Sequence, residues 1–158
     1  MISKGTKINT DFTLNIVKNG VEREVKFSEL LTRPAIVSVY MKNNTSSCDR
    51  QTLDLAKETA WFTKNGFDII AISKDGCRSH KRYADKQGID FTLASDPEFH
   101  FSKATDSIVE KKMYGKTFTG PARSAFVIDT DGTILGVIEK IDTKSHTAEL
   151  KALLDDLH

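Results

Sequence analysis

With 158 residues, of which 39% are apolar and 28% charged, the chain can bury one sizeable core, and we expect a single domain over residues 1–158. The formal net charge is +1 and both signs are interspersed, which argues against a nucleic-acid-binding or membrane-surface protein. No secretory signal and no apolar run of about 18 residues is present. We therefore expect a cytoplasmic protein that does not enter a membrane.

The first half of the chain predicts strands that alternate with helices. Asn19-Gly20 lies between two stretches of alternating apolar and polar residues, which predicts a hairpin over residues 12–27. The elements that follow are a strand at 35–40, a helix at 48–64, a strand at 67–72, a helix at 77–87 and a strand at 91–94. Parallel strands joined by right-handed helical crossovers are expected to be neighbours in one sheet.

The second half predicts a short helix, a hairpin and a terminal helix. The helix lies within residues 96–106, strands at 124–129 and 133–139 flank Thr130-Asp131-Gly132, and the last helix covers 145–157. Residues 110–123 are polar and predict no regular element. A βαβ unit followed by a ββα unit is typical of an α/β thioredoxin-like fold. Its central mixed sheet would be flanked by helices and extended here by the N-terminal β-hairpin.

The two cysteines are too few for a disulfide framework or a thiolate zinc site. Cys48 follows a predicted strand and a polar loop, and it lies in the first turn of a predicted helix. Free backbone N–H groups and the positive end of the helix dipole favour a reactive thiolate there. From position alone an inert thiol is an equal alternative, because free cysteine usually packs as a small apolar residue.

Metal and cofactor sites are not predicted. The four histidines, His80, His100, His146 and His158, have no metal-ligand spacing, and we expect them to be solvated. No glycine-rich phosphate loop is present in the sequence.

The loop before Cys48 is similar to a known active-site loop. Residues 40–48, Tyr-Met-Lys-Asn-Asn-Thr-Ser-Ser-Cys, resemble Tyr-Pro-Lys-Asp-Asn-Thr-Pro-Gly-Cys of peroxiredoxins of the bacterioferritin-comigratory-protein type, the PrxQ group. Residues 95–98, 109–117 and 123–129 resemble further segments of that family in the same order. The resemblance spans nearly the whole chain, and the conjunction of these segments makes it specific.

This resemblance implies a cofactor-free antioxidant enzyme that reduces hydrogen peroxide and alkyl hydroperoxides. Cys48 matches the peroxidatic cysteine, whose thiolate attacks the peroxide and becomes a sulfenic acid. Thr45 matches the threonine that holds the peroxide, and Arg123 matches the arginine that stabilises the thiolate and polarises the peroxide. Gln51 falls where the family has a Glu or Gln that orients this arginine.

Two parts of the loop depart from the family pattern. Met41 stands where the family has a proline that shields the active cysteine, and Ser46-Ser47 replaces Pro-Gly. Methionine can fill the same volume, but it does not fix the backbone as proline does. The alternative function is therefore a divergent redox-sensing or binding domain that keeps an oxidisable Cys48 and has little peroxidase turnover.

The route by which the sulfenic acid is resolved stays open. Many members of the family have a second cysteine five residues after the peroxidatic one, where this chain has Leu53. Either Cys77 resolves Cys48 through an internal disulfide, which requires Cα atoms within about 7 Å, or an external thiol completes a one-cysteine cycle. The resemblance implies thioredoxin or a similar thiol as reductant, and a monomer or weak homodimer.

Overall fold

The computed structural model describes residues 1–113 and 115–157, without the side chains of Lys111, Met113 and Phe118. Its strands are β1 (Thr13–Lys18), β2 (Val21–Lys26), β3 (Ala35–Val39), β4 (Asp68–Ser73), β5 (Thr92–Ser95), β6 (Ile108–Met113), β7 (Lys116–Pro121), β8 (Ala125–Ile128) and β9 (Ile134–Ile138). Its helices are α1 (Ser46–Lys57), α2 (Thr59–Lys64), α3 (Cys77–Gln87), α4 (His100–Ala104) and α5 (His146–Asp155), with a 3₁₀ turn at Phe27–Leu30. None of the described helices is long and apolar enough to cross a membrane.

Seven strands form one mixed sheet in the order β2-β1-β5-β4-β3-β8-β9. The three central strands β5, β4 and β3 are parallel, and β1 and β8 pair with them antiparallel. The parallel strands are joined through helices, as predicted, so the loops that follow β3 and β4 lie at the same edge of the sheet. The N-terminal hairpin β1–β2 extends this sheet on one side, as expected.

Alternate residues of the central strands supply two apolar clusters on opposite faces of the sheet. Val37, Ile70 and Phe126 belong to the cluster that contains Phe27 of the 3₁₀ turn and Phe101 of α4. The other cluster joins Ile36, Ala71 and Val127 of the strands to buried residues of the helices, namely Leu55, Phe62, Tyr83 and Leu150. Helices α1, α2, α3 and α5 therefore share one face, and Cys48 belongs to that cluster.

The single helix predicted over residues 48–64 is wrong, because the structure divides it at Glu58. The Thr59 hydroxyl donates to the carbonyl oxygens of Leu55 at 3.1 Å and Ala56 at 3.2 Å. A threonine that bonds back to the preceding turn competes with the helical ladder and bends it. The sequence contains no glycine or proline here, so the break had no conventional signal.

Residues 110–123 were expected to be irregular, and the structure instead forms most of a second, two-stranded sheet there from β6 and β7. The described side chains at Glu110, Lys112, Lys116 and Thr117 are exposed. Polar, exposed side chains such as these lack the apolar alternation by which strands are recognised.

The short helix expected within residues 96–106 is reduced to the five residues of α4. Phe99 precedes it in the left-handed conformation, at φ 59°, and an α-helix cannot extend back through such a residue. The Asp96 carboxylate accepts hydrogen bonds from the backbone N–H groups of His100 at 2.8 Å and Phe101 at 2.9 Å. Asp96 therefore caps the helix from outside it.

The expectation of solvated histidines is wrong for His80 and His146, which are both 0% exposed. His80 Nε2 lies 3.1 Å from the Ala94 carbonyl oxygen, and His146 Nε2 lies 3.0 Å from Ser38 Oγ. Burial lowers the pKa of both rings, so both are neutral at physiological pH. His100 is partly exposed, and His158 lies outside the described residues.

The β2 strand forms one outer edge of the seven-stranded sheet. Its residues are exposed except Val25, and Glu22, Arg23 and Glu24 succeed one another along it. Charged side chains are a common protection of an edge strand whose backbone groups face solvent.

Candidate active site

Cys48 lies in the first turn of α1, just after the loop that leaves β3. Its side chain is 0% exposed and packs in the apolar cluster that contains Tyr40 and Leu55. The first backbone N–H groups of α1 have no partners within the helix, and the positive end of the helix dipole lies there. The fold therefore places the buried thiol of Cys48 at the positive end of a helix dipole.

Arg123 brings a permanent positive charge to this thiol. Its Nη2 donates to Cys48 Sγ at 3.4 Å, although the two residues are 75 positions apart in the sequence. The backbone around Arg123 is fixed on both sides, because Ile141 N donates to the Arg123 carbonyl oxygen and Val39 N donates to that of Ser124. These hydrogen bonds fix the backbone from which the Arg123 side chain reaches the sulfur.

Thr45 occupies the N-cap position of α1, but its hydroxyl makes no capping hydrogen bond. The hydroxyl donates to the Lys42 carbonyl oxygen at 3.0 Å, within the loop. Asn44, just before it, has a φ of 65°, a left-handed conformation that asparagine tolerates better than most residues. This bend sets Thr45 at the start of the helix, three residues before Cys48.

Asn43 ties the loop to the first turns of α3. Its backbone N–H donates to Asp75 at 2.9 Å, its Oδ1 accepts from the Tyr40 hydroxyl at 2.5 Å, and its Nδ2 donates to Ser79 at 3.1 Å. Asn43 Nδ2 also lies 3.2 Å from His80 Nδ1. No local sequence pattern indicates this network, because its partners come from separate elements.

Gln51, one turn after Cys48, is 0% exposed. Its Nε2 donates to Ser38 Oγ at 2.7 Å and to the Val39 carbonyl oxygen at 3.2 Å. Its Oε1 is buried and has no hydrogen-bond partner among the described residues. The structure therefore places Gln51 close to the end of β3, with no hydrogen bond to Arg123 in this conformation.

Cys77, the first residue of α3, is buried and is also a free thiol. Burial raises its pKa, and the nearby Glu22 carboxylate raises it further, while Lys81 opposes them. Lys81 pairs with Glu22 of β2 at 3.4 Å, whereas Tyr83 donates to Asp49 of α1 at 2.6 Å. Since residues four apart share one helix face, Cys77 lies on the face of α3 that is turned to β2 rather than to α1.

Comparison with known proteins decides the family. Residues 6–137 match the model of the AhpC/TSA family. The chain belongs to the AhpC/TSA family. Peroxiredoxin Bcp of Xanthomonas campestris is 33% identical over 119 residues, which cover 75% of this chain and 74% of that protein. Peroxiredoxin Bcp of Escherichia coli is 31% identical over 123 residues, or 78% of this chain and 79% of that protein.

Solved structures agree with this assignment. Peroxiredoxin Q of Xanthomonas campestris superimposes with a TM-score of 0.83 at 29% identity, over 94% of this chain and 93% of that one. The bacterioferritin comigratory protein of the same organism, solved in trapped-intermediate and ligand complexes, gives a TM-score of 0.85 at 26% identity, over 99% of this chain and 100% of that one. The predicted thioredoxin-like fold and the peroxiredoxin type are confirmed.

Met41 stands where the loop pattern of the PrxQ group has a proline. The side chain is partly buried and packs against the cluster that contains Cys48. It also lines a small cavity of about 70 Å³ together with Tyr40, Phe99 and Pro121. A flexible thioether therefore lies beside the active-site loop, where the pattern has a rigid ring.

Proposed function

We propose that this peroxiredoxin reduces hydrogen peroxide and alkyl hydroperoxides with Cys48 as the peroxidatic cysteine. The observation that carries the proposal is the 3.4 Å approach of Arg123 Nη2 to Cys48 Sγ in the first turn of α1. A helix N-terminus and a guanidinium together favour the thiolate, which is the nucleophilic form of cysteine.

The reaction is a displacement on oxygen. The Cys48 thiolate attacks one peroxide oxygen, the S–O bond forms as the O–O bond breaks, and hydroxide or alkoxide leaves and takes a proton from solvent. The product at Cys48 is a sulfenic acid. Arg123 carries several fixed N–H donors, so it can stabilise the negative charge as it moves from sulfur to the leaving oxygen.

Thr45 is proposed to hold the peroxide. Because its hydroxyl proton is directed to the Lys42 carbonyl oxygen, Thr45 Oγ1 would receive a hydrogen bond from the peroxide O–H. Lys42, Asn44 and Thr45 are exposed while Cys48 is fully buried, so peroxide reaches the sulfur past this loop. The solved Xanthomonas campestris protein was studied for alkyl peroxide reduction, and the apolar cavity beside Met41 supports organic hydroperoxides as substrates here.

The recycling step is proposed to use thioredoxin or a similar thiol. In this conformation Cys77 faces β2 and Cys48 contacts Arg123, so we expect an internal disulfide to need unwinding of the first turn of α1, of α3 or of both. A two-cysteine and a one-cysteine cycle thus remain the two alternatives. The cytoplasmic location and the monomeric or weakly dimeric state stay predictions.

Intact mass after one equivalent of hydrogen peroxide tests the proposal. We expect the reduced protein to react within minutes, and Cys48→Ser to show no change. A loss of two hydrogens that requires both cysteines indicates the internal disulfide, and a single added oxygen that persists in Cys77→Ser indicates the one-cysteine cycle.

Steady-state peroxide loss with thioredoxin and its reductase then separates an enzyme from a redox sensor, which oxidises once and stalls. An unreactive Cys48 would contradict the proposal, whatever happens at Cys77.

A further inference from the structure

The side-chain amide of Gln51 is held in one orientation. A backbone carbonyl can only accept hydrogen bonds, so the atom that lies 3.2 Å from the Val39 carbonyl oxygen must be the amide nitrogen. The same nitrogen donates to Ser38 Oγ at 2.7 Å. The amide oxygen of Gln51 is therefore directed away from β3.

A chain of hydrogen bonds behind Ser38 keeps this orientation. Ser38 accepts from Gln51, and its own proton is then directed to His146 Nε2 at 3.0 Å. Burial lowers the pKa of His146 to about 4, so the ring is neutral and Nε2 can accept at physiological pH. The proton of the ring lies on Nδ1, 3.5 Å from Glu149 Oε2.

Each of these hydrogen bonds is donated in the same direction, from Gln51 of α1 through Ser38 of β3 to His146 of α5. Without an acceptor at His146, the Ser38 hydroxyl could turn and donate to the amide oxygen of Gln51 instead. The Val39 carbonyl oxygen alone would then oppose a flip of the amide. His146 therefore reinforces the orientation that Val39 favours, because it keeps the Ser38 hydroxyl an acceptor toward the amide nitrogen.

The selected orientation leaves the Gln51 oxygen as a buried acceptor with no partner among the described residues. An unpaired buried acceptor costs free energy, and it is satisfied when a donor reaches it. Arg123, which already contacts Cys48 Sγ, carries several N–H donors in a planar fork.

We propose that Ser38 and His146 are positioning residues of the peroxidase site, which fix the Gln51 amide so that its oxygen receives an N–H of Arg123 during peroxide reduction. This inference rests on the proposed function, because it assigns Arg123 to the reacting groups. Ser38 and His146 themselves touch neither the sulfur nor the peroxide.

A double-mutant cycle on Gln51 and His146 tests the inference. The measured quantity is the second-order rate constant for oxidation of Cys48 by hydrogen peroxide, from rapid quenching and intact mass. We expect His146→Leu to lower it about fivefold, the effect of one hydrogen bond, and to have no effect when Gln51→Leu is already present. His146→Gln, whose amide oxygen can accept from Ser38, should recover most of the rate.

Two further variants keep the test decisive. Leu150→Ala removes a buried side chain of α5 one turn after His146, so it loosens the same helix without touching the hydrogen-bond chain. Its rate constant should stay within about twofold of wild type. If His146→Leu fails to fold, Ser38→Ala takes its place in the cycle with the same expectation.

Equal rates for His146→Leu and wild type would overturn the inference, and so would an equal loss in the Gln51→Leu background, which indicates a purely structural role. In either case the wild-type reaction leaves the proposed function standing. If wild-type Cys48 does not react with peroxide, the proposed function and this inference fail together.

Discussion

Cys48 and Cys77 occupy equivalent places in the fold and have opposite surroundings. Each is a buried thiol in the first turn of a helix that follows one of two neighbouring parallel strands. Beside Cys48 lies the guanidinium of Arg123, and beside Cys77 lies the carboxylate of Glu22. We therefore expect the sign of the charge brought from a distant element, rather than the helix N-terminus alone, to decide which thiol is reactive.

The order of strands explains the difference. Arg123 lies just before β8, which is the neighbour of β3 in the sheet. Glu22 belongs to β2, the edge strand that lies beyond β5 and β1 on the other side of β4. The two charges thus approach the helices from opposite sides. Three experiments test what these surroundings do.

The largest effect is expected from Arg123→Met, which removes the charge that sets Cys48 apart. The rate constant for oxidation of Cys48 by hydrogen peroxide should fall roughly 100-fold or more, because the guanidinium favours both the thiolate and the leaving oxygen. Stopped-flow measurement of the single oxidation step checks this. Arg123→Lys keeps the charge without the planar fork, so its rate constant should lie between those of wild type and Arg123→Met. A loss below about threefold would contradict the role of Arg123.

A second effect concerns stability, since the helix of Cys48 is linked through Ser38 to neutral His146. The pKa of His146 is about 4 in the folded protein, and that of an unfolded histidine is about 6.5. Between these values only the unfolded chain binds the proton, so the free energy of unfolding falls as the pH drops from 6.5 to 4, by at most roughly 3 kcal/mol. Asp54 and Glu149 also face this ring.

Urea unfolding at a series of pH values measures this loss. In His146→Leu the decline between about pH 6.5 and 4 should be shallower than in wild type, whatever the variant's stability at neutral pH. Buried His80 contributes a decline of the same sign to both proteins. Parallel curves would show that His146 is not the group responsible.

The smallest effect is expected at Cys77. Glu22→Gln removes a carboxylate that raises the pKa of this thiol, so more thiolate forms and alkylation by iodoacetamide near pH 8 should quicken about threefold. The measurement needs a Cys48→Ser background so that only one thiol reacts. Glu24→Gln makes the same charge change two residues along β2 and serves as the control. An unchanged rate would mean that burial alone sets the reactivity of Cys77.

The sequence predicted best the elements with local signals. Helix α3 has the predicted bounds of 77–87, since Gly88 ends it in a left-handed conformation at φ 65°. The β6–β7 hairpin escaped prediction because residues such as Glu110, Lys112 and Lys116 are polar and exposed and give no apolar alternation. The break at Glu58 arises from a hydroxyl hydrogen bond that the sequence pattern does not reveal.

The residues of the site also differ in whether the local sequence indicates them. Cys48 was a candidate from its place in the first turn of a predicted helix, whereas Thr45 and Arg123 were proposed only through resemblance, because no local pattern links residues 75 positions apart. The buried positions of His80 and His146 depend on acceptors and donors from other strands and helices. The sequence around a histidine does not show whether residues of distant elements will form hydrogen bonds with its ring.

The charged outer strand β2 bears on how copies of this molecule meet. A second copy that paired antiparallel with this edge, centred on Arg23, would set Arg23 against Arg23 and Glu22 against Glu24. Like charges directly opposite each other oppose such a ladder. The central strands β3 and β4 are almost wholly apolar. The charged edge therefore opposes edge-to-edge pairing of sheets from different copies, which is the first step toward fibrils in a crowded solution.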